Sequence, residues 1–417
     1  FICMLRTFSF AQGQIATVDY VHQKILTEKG IDVGYNQTPI PELSSTHYLM
    51  RQIDRANEIL NDRQTSTYAE DPQWMDAALM SKEGADKYID KLIKYDGPDE
   101  FYITISGTRT FKFTITAPGQ YTIDWGDGVV QPSTGGGKSH TYPTNGEYTI
   151  TVSGEATSYR SASSSNSAIT FDTTSHRAYI RKITGKMGRV FKTLQNGINP
   201  GFADMCYGCT NLTEISPDLF DGITGQPIPY MFYRTFYNCT KIANSLDANF
   251  FGNLQGRPAK AMFQNTFTNC YSLKGPIPED LFAGIVGPPA DLMFSGLFQT
   301  CSSLDGEIPA RLFRGIRGAP AVSMYDSVFY QCPKLTGSIP EGLFGEIYGL
   351  YASAMFRFTF TSCTGLSGVV PERLFGRLTG ASAGYEFYET FYRCAGLSGP
   401  VRTGVVSGTA ASTMYTN

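Results

Sequence analysis

The sequence predicts a multidomain chain: an α-helical N-terminal segment (1–98), an all-β sandwich (99–154), a linker and cap (155–201) and an α/β repeat solenoid (202–417). Three observations carry this reading. First, one cysteine-centred unit recurs from Phe202 onward: Cys209, Cys239, Cys270, Cys301, Cys332, Cys363 and Cys394 are separated by 30 residues once and by 31 five times. A fixed period of this size is the signature of stacked repeats, because one such unit cannot bury its apolar face without a neighbour. Second, apolar and polar residues alternate from Glu100 to Val152, the period of half-buried strands. Third, before residue 98 the apolar residues return every three to four positions, the period of a helix.

At 417 residues the chain is long enough for two or more domains and a large core. Its net charge of −3 and its 17% of charged residues argue against a general nucleic-acid binder, which would show a basic stripe. The abundance of Gly (43), Tyr (25) and Phe (28) at low charge suits an extracellular β-rich or repeat protein. No apolar run approaches the length of a membrane span. The opening Phe1 to Gly13 reads either as the remnant of a secretion signal or as a buried N-terminal strand.

In the N-terminal segment, Ile15, Val18, Val21 and Ile25 share one helical face, and Gly30 stops the pattern. Asn36–Leu43 carries two prolines and reads as a linker. A second helix is expected after the N-cap hydroxyls of Ser44, Ser45 and Thr46, and a third after Asp71-Pro72. Their apolar faces are narrow, so they are expected to pair with another chain, as an attachment or homo-oligomerisation element, or to dock on the later domains. The stretch Ala16-Thr-Val-Asp-Tyr-Val-His-Gln-Lys-Ile resembles short helical neck segments of phage tail fibres and bacterial surface stalks.

From Glu100 the strand candidates are Phe111–Thr116, Tyr121–Trp125 and Tyr148–Val152, with turns at Pro118-Gly119, Gly126-Asp127-Gly128 and Asn145-Gly146. The run Pro118 to Gly128 followed by His140 to Val152 resembles the PKD domain, an immunoglobulin-like sandwich used as a spacer or binding module on extracellular proteins. The resemblance implies a core role for Trp125 and turn hydrogen bonds for Asp124, Asp127 and His140. Gly135–Ser139 imitates a phosphate loop, but Pro132 stands where that motif needs its first glycine. Asp124 and Asp127 fall short of the oxygen-rich ligand set of a calcium loop. The Ser/Ala-rich residues 155–167 form a connector, and 168–201 is read as the cap over the open end of the solenoid.

Within the repeats, Phe-x3-Phe-x2-Cys-x2-Leu is expected to form a short helix with Phe, Phe and Cys on one side. A brief strand such as Gly337–Pro340 follows, then a Leu-Phe pair (Leu281-Phe282, Leu312-Phe313) and a Gly-rich closure. The pattern resembles the BspA-type leucine-rich repeats of bacterial surface proteins, although these units are longer and the second copy carries Asp247 for Pro and Phe250-Phe251 for Leu-Phe. One cysteine per repeat (Cys209, Cys239, Cys270, Cys301, Cys332, Cys363, Cys394) reads as a structural ladder of buried thiols. Paired disulfide spacings are absent, and Cys206-Tyr-Gly-Cys209 is a lone pair without a second zinc half-site.

Function is expected where copies differ. Tyr207, Tyr233, Tyr237, Tyr271, Tyr330, Tyr388 and Tyr392 are the candidate binding aromatics, since Tyr combines contact area with a hydroxyl. The four histidines stand in no nucleophile or metalloprotease motif, and the repeat carboxylates Glu279, Glu307, Glu341 and Glu372 form a regular ladder rather than a converging pair. The resulting expectation is a non-enzymatic extracellular or cell-surface adhesin, without cofactor or metal. Its solenoid would bind a protein or glycan on a host or neighbouring cell. A structural tail-fibre or appendage component of a phage or bacterial surface is the alternative, and a carbohydrate-active enzyme with appended modules a more distant third.

Overall fold

A computed structural model of the chain describes residues 99–161, 163–171, 174–380 and 383–398. The chain divides into Phe1–Pro98 and Asp99–Asn417. The helices expected in 1–98, and the oligomerisation assigned to them, lie outside the described residues.

Strand β1 (Glu100–Ile115) runs antiparallel to β4 (Gly136–Ala156), which in turn pairs with β2 (Gly119–Asp124), and β2 with β3 (Val130–Ser133). On the other side β1 pairs with β5 (Ile169–Thr170) and β6 (Ile180–Gly185). The alternation seen in the sequence is the burial pattern: Phe101, Ile103, Ile105, Phe111, Phe113 and Ile115 all point into the core. Trp125 is fully buried, 5.6 Å from Phe113 and stacked 4.9 Å from His140. Asp124 Oδ1 accepts the Gly126 amide at 2.8 Å, and Asp127 binds the Val129 amide at 3.2 Å and His140 Nε2 at 2.7 Å. Burial raises the Asp127 carboxyl, but the His140 and Val129 hydrogen bonds outweigh it and hold the group below the usual carboxylate range.

Strand β6 also pairs in parallel with β7 (Glu214–Ile215), Lys182 opposite Glu214 and Ile183 opposite Ile215. All these strands therefore belong to one sheet, whose last member is part of the first repeat. The first turn of the solenoid is hydrogen-bonded to the sheet instead of presenting open backbone.

Beyond it lies a β-solenoid of about seven turns. The repeats do not form the expected α/β units. Among the described residues the only helices are α1 (Thr174–Arg177) and α2 (Met187–Val190), both before the repeats. Each Phe-x3-Phe-x2-Cys segment is instead a run of tandem turns. In the second repeat the amides of Met231, Tyr233, Thr235, Tyr237 and Cys239 donate to carbonyls three residues back, at 3.1–3.3 Å. The intervening amides of Tyr230, Phe232, Arg234, Phe236 and Asn238 donate to Lys260, Met262, Gln264, Thr266 and Thr268 of the next turn, at 2.7–2.9 Å. Tyr230, Arg234 and Asn238 have φ of 60°, 50° and 61°, the third position of type II turns. An α-helix needs negative φ throughout and bonds four residues back. A left-handed residue every fourth position forbids it, yet keeps Phe232, Phe236 and Cys239 on one side, because a turn period of four lies close to 3.6.

Each left-handed non-glycine residue costs about 1 kcal/mol, and the bonds between turns offset it. The cheap occupants of this conformation appear at the required places: Asp204, Asn238, Asn265, Asn269 and Gly296. Two further sets of short parallel contacts run along the stack. One includes β10 (Gly306–Glu307) with β12 (Leu335–Thr336) and β14 (Gly368–Val369) with β16 (Leu397–Ser398). The other joins β11 (Arg317–Gly318), β13 (Glu346–Leu350) and β15 (Arg377–Thr379).

Three aromatic columns fill the centre. Phe232, Phe263, Phe294, Tyr325, Phe356 and Phe387 stack at centroid separations of 5.4–5.9 Å. Phe236, Phe267, Phe298, Phe329, Phe360 and Phe391 form the second column, and Phe220, Phe251, Phe282, Phe313, Phe344 and Phe375 the third. In the second repeat Phe251 takes the position of the usual Phe, while Phe250 is an added core ring 5.5 Å from Phe220.

Candidate functional site

The tandem turns place equivalent residues directly above one another, so the outward positions form columns. Tyr233, Gln264, Ser295, Asp326, Arg357 and Tyr388 make one column; Tyr237, Thr268, Gln299, Tyr330, Thr361 and Tyr392 make another, with Thr268, Ser295, Asp326 and Thr361 buried within them. Spacing along a column is the solenoid rise, within reach of ring stacking and of an Arg–carboxylate pair.

The structure brings three of the candidate tyrosines together at the first two repeats. Tyr207 and Tyr237 stack with centroids 5.0 Å apart and planes 3° from parallel. The Arg234 guanidinium lies 5.0 Å from the Tyr207 ring centre and 4.6 Å from that of Tyr233. It is fixed by two 2.8 Å bonds, Nε to Asp204 Oδ1 and Nη2 to Asp204 Oδ2. Tyr230 meets Tyr233 edge to face at 5.8 Å, and Arg177 approaches Tyr207 at 5.8 Å. Desolvation pulls Arg234 down, but the Asp204 carboxylate outweighs it and raises the guanidinium further. The result is a half-buried platform of aromatic faces around a clamped guanidinium, a composition that suits hot spots of recognition.

A second group sits on repeats five to seven. Tyr330 and Tyr388 each contact Phe358 edge to face, at 5.9 and 5.4 Å. Arg357 donates through Nε and Nη2 to Asp326 Oδ2 at 3.2 and 2.7 Å. Tyr392 lies on the same face with Arg393 5.0 Å from its ring. Tyr271 stands apart: it is 42% exposed at the corner just past Cys270 and shares none of these contacts.

Sequence reasoning named the tyrosines and missed Asp204, Arg234, Asp326, Arg357 and Phe358. The signal was present as opposite charges one repeat apart, Asp204 with Arg234 and Asp326 with Arg357. Reading residues in columns rather than along the chain would have found both pairs.

The repeat cysteines Cys209, Cys239, Cys270, Cys301, Cys332, Cys363 and Cys394, with Cys206, are buried free thiols. They also carry hydrogen bonds: the Sγ–H of Cys270, Cys301, Cys332, Cys363 and Cys394 donates to the carbonyl of Phe236, Phe267, Phe298, Phe329 and Phe360 in the preceding turn, at 2.8–3.2 Å. Thr266, Thr359 and Thr390 do the same to Phe232, Tyr325 and Phe356 at 2.9–3.0 Å. Burial pushes the Cys332 thiol up to about 12 and Cys394 to about 11. Cys270, Cys301, Cys332, Cys363 and Cys394 are therefore protonated structural donors, whereas at Cys209 burial is outweighed by hydrogen bonds from Cys206 and Cys239, which pull the thiol down to about 5. Among the described residues no three His, Cys, Asp or Glu side chains converge as a metal site, and no helix is long and apolar enough to cross a membrane. Comparison with protein-family models, curated proteins and solved structures finds no match.

Proposed function

We propose that the protein is a non-enzymatic binding protein of a cell surface or extracellular setting, whose solenoid engages a protein or glycan of a host or neighbouring cell through its turn face. The observation that carries the reading is the Tyr207–Arg234–Tyr233–Tyr237 platform. A regular scaffold holds it rigid, so recognition costs little conformational entropy. The likeness of the repeat spacing to BspA-type surface proteins, and of residues 118–152 to PKD spacer domains, supports the extracellular setting. The test uses the full chain against arrays of glycans and of cell-surface and matrix proteins. The expected result is specific binding that falls at least tenfold in Tyr233→Ala/Arg234→Ala. A chain that binds no member of either array, or a double variant that binds like the parent, overturns the proposal.

A further inference from the structure

The geometry points to a second, concave site on this face: the cleft over repeats four to six takes a pyranose residue of a neutral glycan. This inference rests on the turn face being the binding surface. The cleft holds about 390 Å³, within the usual range of small-molecule sites, about 300–1,000 Å³. It arises from two small residues. Ser295 occupies the column position that holds Tyr233, Gln264, Asp326, Arg357 and Tyr388 elsewhere, and Ser327 the position of Arg234, Asn265, Gly296, Phe358 and Glu389. They leave the floor low, while Tyr330, Phe358 and Arg357 wall it.

The lining chemistry selects the ligand class. The Tyr330 and Phe358 rings, edge to face at 5.9 Å, offer an apolar surface to the C–H face of a sugar ring. Asp326 is only 5% exposed and its carboxylate is held by the Ser327 hydroxyl at 2.8 Å and by Arg357. That pair cancels the local charge, so an anionic ligand finds no uncompensated cation. The Arg357 Nη1, the Gln299 carboxamide and the Ser295 hydroxyl make no hydrogen bond to another described residue. These donors and acceptors belong to residues lining one hollow and suit the hydroxyls of a pyranose.

Ser295→Tyr tests the assignment in the full chain. Its column already accepts Tyr233 and Tyr388, so the variant keeps the turn geometry while filling the cleft, and its thermal unfolding should match the parent's. On an array of neutral and sialylated oligosaccharides, neutral-glycan binding should fall at least tenfold in Ser295→Tyr and in Phe358→Ala. If Ser295→Tyr keeps full glycan binding while Tyr233→Ala/Arg234→Ala loses it, the cleft assignment is overturned and the turn-face reading stands. Capture of sialylated glycans alone, or of proteins alone, likewise overturns the cleft assignment and leaves that reading intact. A chain that binds neither glycan nor protein overturns the turn-face reading and this inference with it.

Discussion

The antiparallel sheet and the solenoid both bury aromatic side chains, but they satisfy their backbones in opposite ways. In the sheet, Glu100 pairs with Ser153 and Ile115 with Gly136, so each contact joins distant chain segments through a register set by bulges near Thr108. In the solenoid the backbone bonds run mainly three residues back or to an adjacent turn, one repeat onward in the tandem turns and one repeat back in the short strands. The sheet core around Val152 and Ile150 buries its hydroxyls mainly as Tyr121 and Tyr142, bonded to the Ala117 and Trp125 carbonyls just outside the strands, whereas the solenoid core admits Thr and Cys wherever a carbonyl of the preceding turn needs a donor. A buried hydroxyl or thiol is tolerated in a stack because the acceptor recurs at the same place in each turn. Within the strands a sheet face offers few such acceptors, since most of its carbonyls are used in the ladder.

The largest test of this contrast is alkaline pH. All described cysteines lie in the solenoid, and residues 99–185 contain none. Burial raises Cys270, Cys301, Cys332, Cys363 and Cys394 above their unfolded values. The stability they confer is complete below the unfolded pKa of about 8.5 and is lost as pH rises from there towards the folded values. Each thiol loses about 1.4 kcal/mol per pH unit, so five together exceed the whole stability of a typical domain, about 5–15 kcal/mol, by about pH 11. Unfolding followed from pH 7 to 11 should show the solenoid melting before the sheet, with rapid thiol labelling only after it melts. Labelling of these cysteines in the folded protein at pH 8 refutes the buried ladder.

Phe294→Ala should cost about 4 kcal/mol, because Phe294 stacks on both Phe263 and Tyr325. In a nearest-neighbour stack the damage should also split denaturant unfolding into two steps; a single sharp transition would mean that the repeats do not fold as stacked neighbours.

The same substitution placed in both regions gives the sharpest comparison. Val152→Thr in the sheet core should cost about 2 kcal/mol, for an unpaired hydroxyl. Val328 occupies the column of Thr235, Thr266, Thr359 and Thr390, so Val328→Thr should lie within about 0.5 kcal/mol of the parent, its hydroxyl donating to a carbonyl of the preceding turn. Equal losses at the two sites, measured by urea denaturation, would remove the proposed distinction. A further effect has the opposite sign. Tyr325 is fully buried in a column otherwise made of Phe, and its hydroxyl has no hydrogen-bond partner. Tyr325→Phe should stabilise the protein by about 1 kcal/mol.

Much of this organisation is legible in the chain alone. The 31-residue return of Cys, Phe and Leu determines the stack and its aromatic columns, since identical residues at a fixed period must superpose. Alternation determines which faces of the strands in 100–152 are buried. The local conformation of the repeat was misread because Phe232, Phe236 and Cys239 satisfy a helix period and a tandem-turn period alike. Only the bonding between turns separates the two, and those bonds exist only once neighbouring repeats are in place. The left-handed residues Asp204, Asn238, Asn265 and Asn269 were the one local sign. The tertiary structure alone decided which residues meet on the surface. Asp204 reaches Arg234, and Asp326 reaches Arg357, across a whole repeat, and a hollow opens where Ser295 and Ser327 replace mostly larger side chains. Side chains distant along the chain become neighbours through the rise of the stack, so a surface of this kind is readable only after its columns have been assembled.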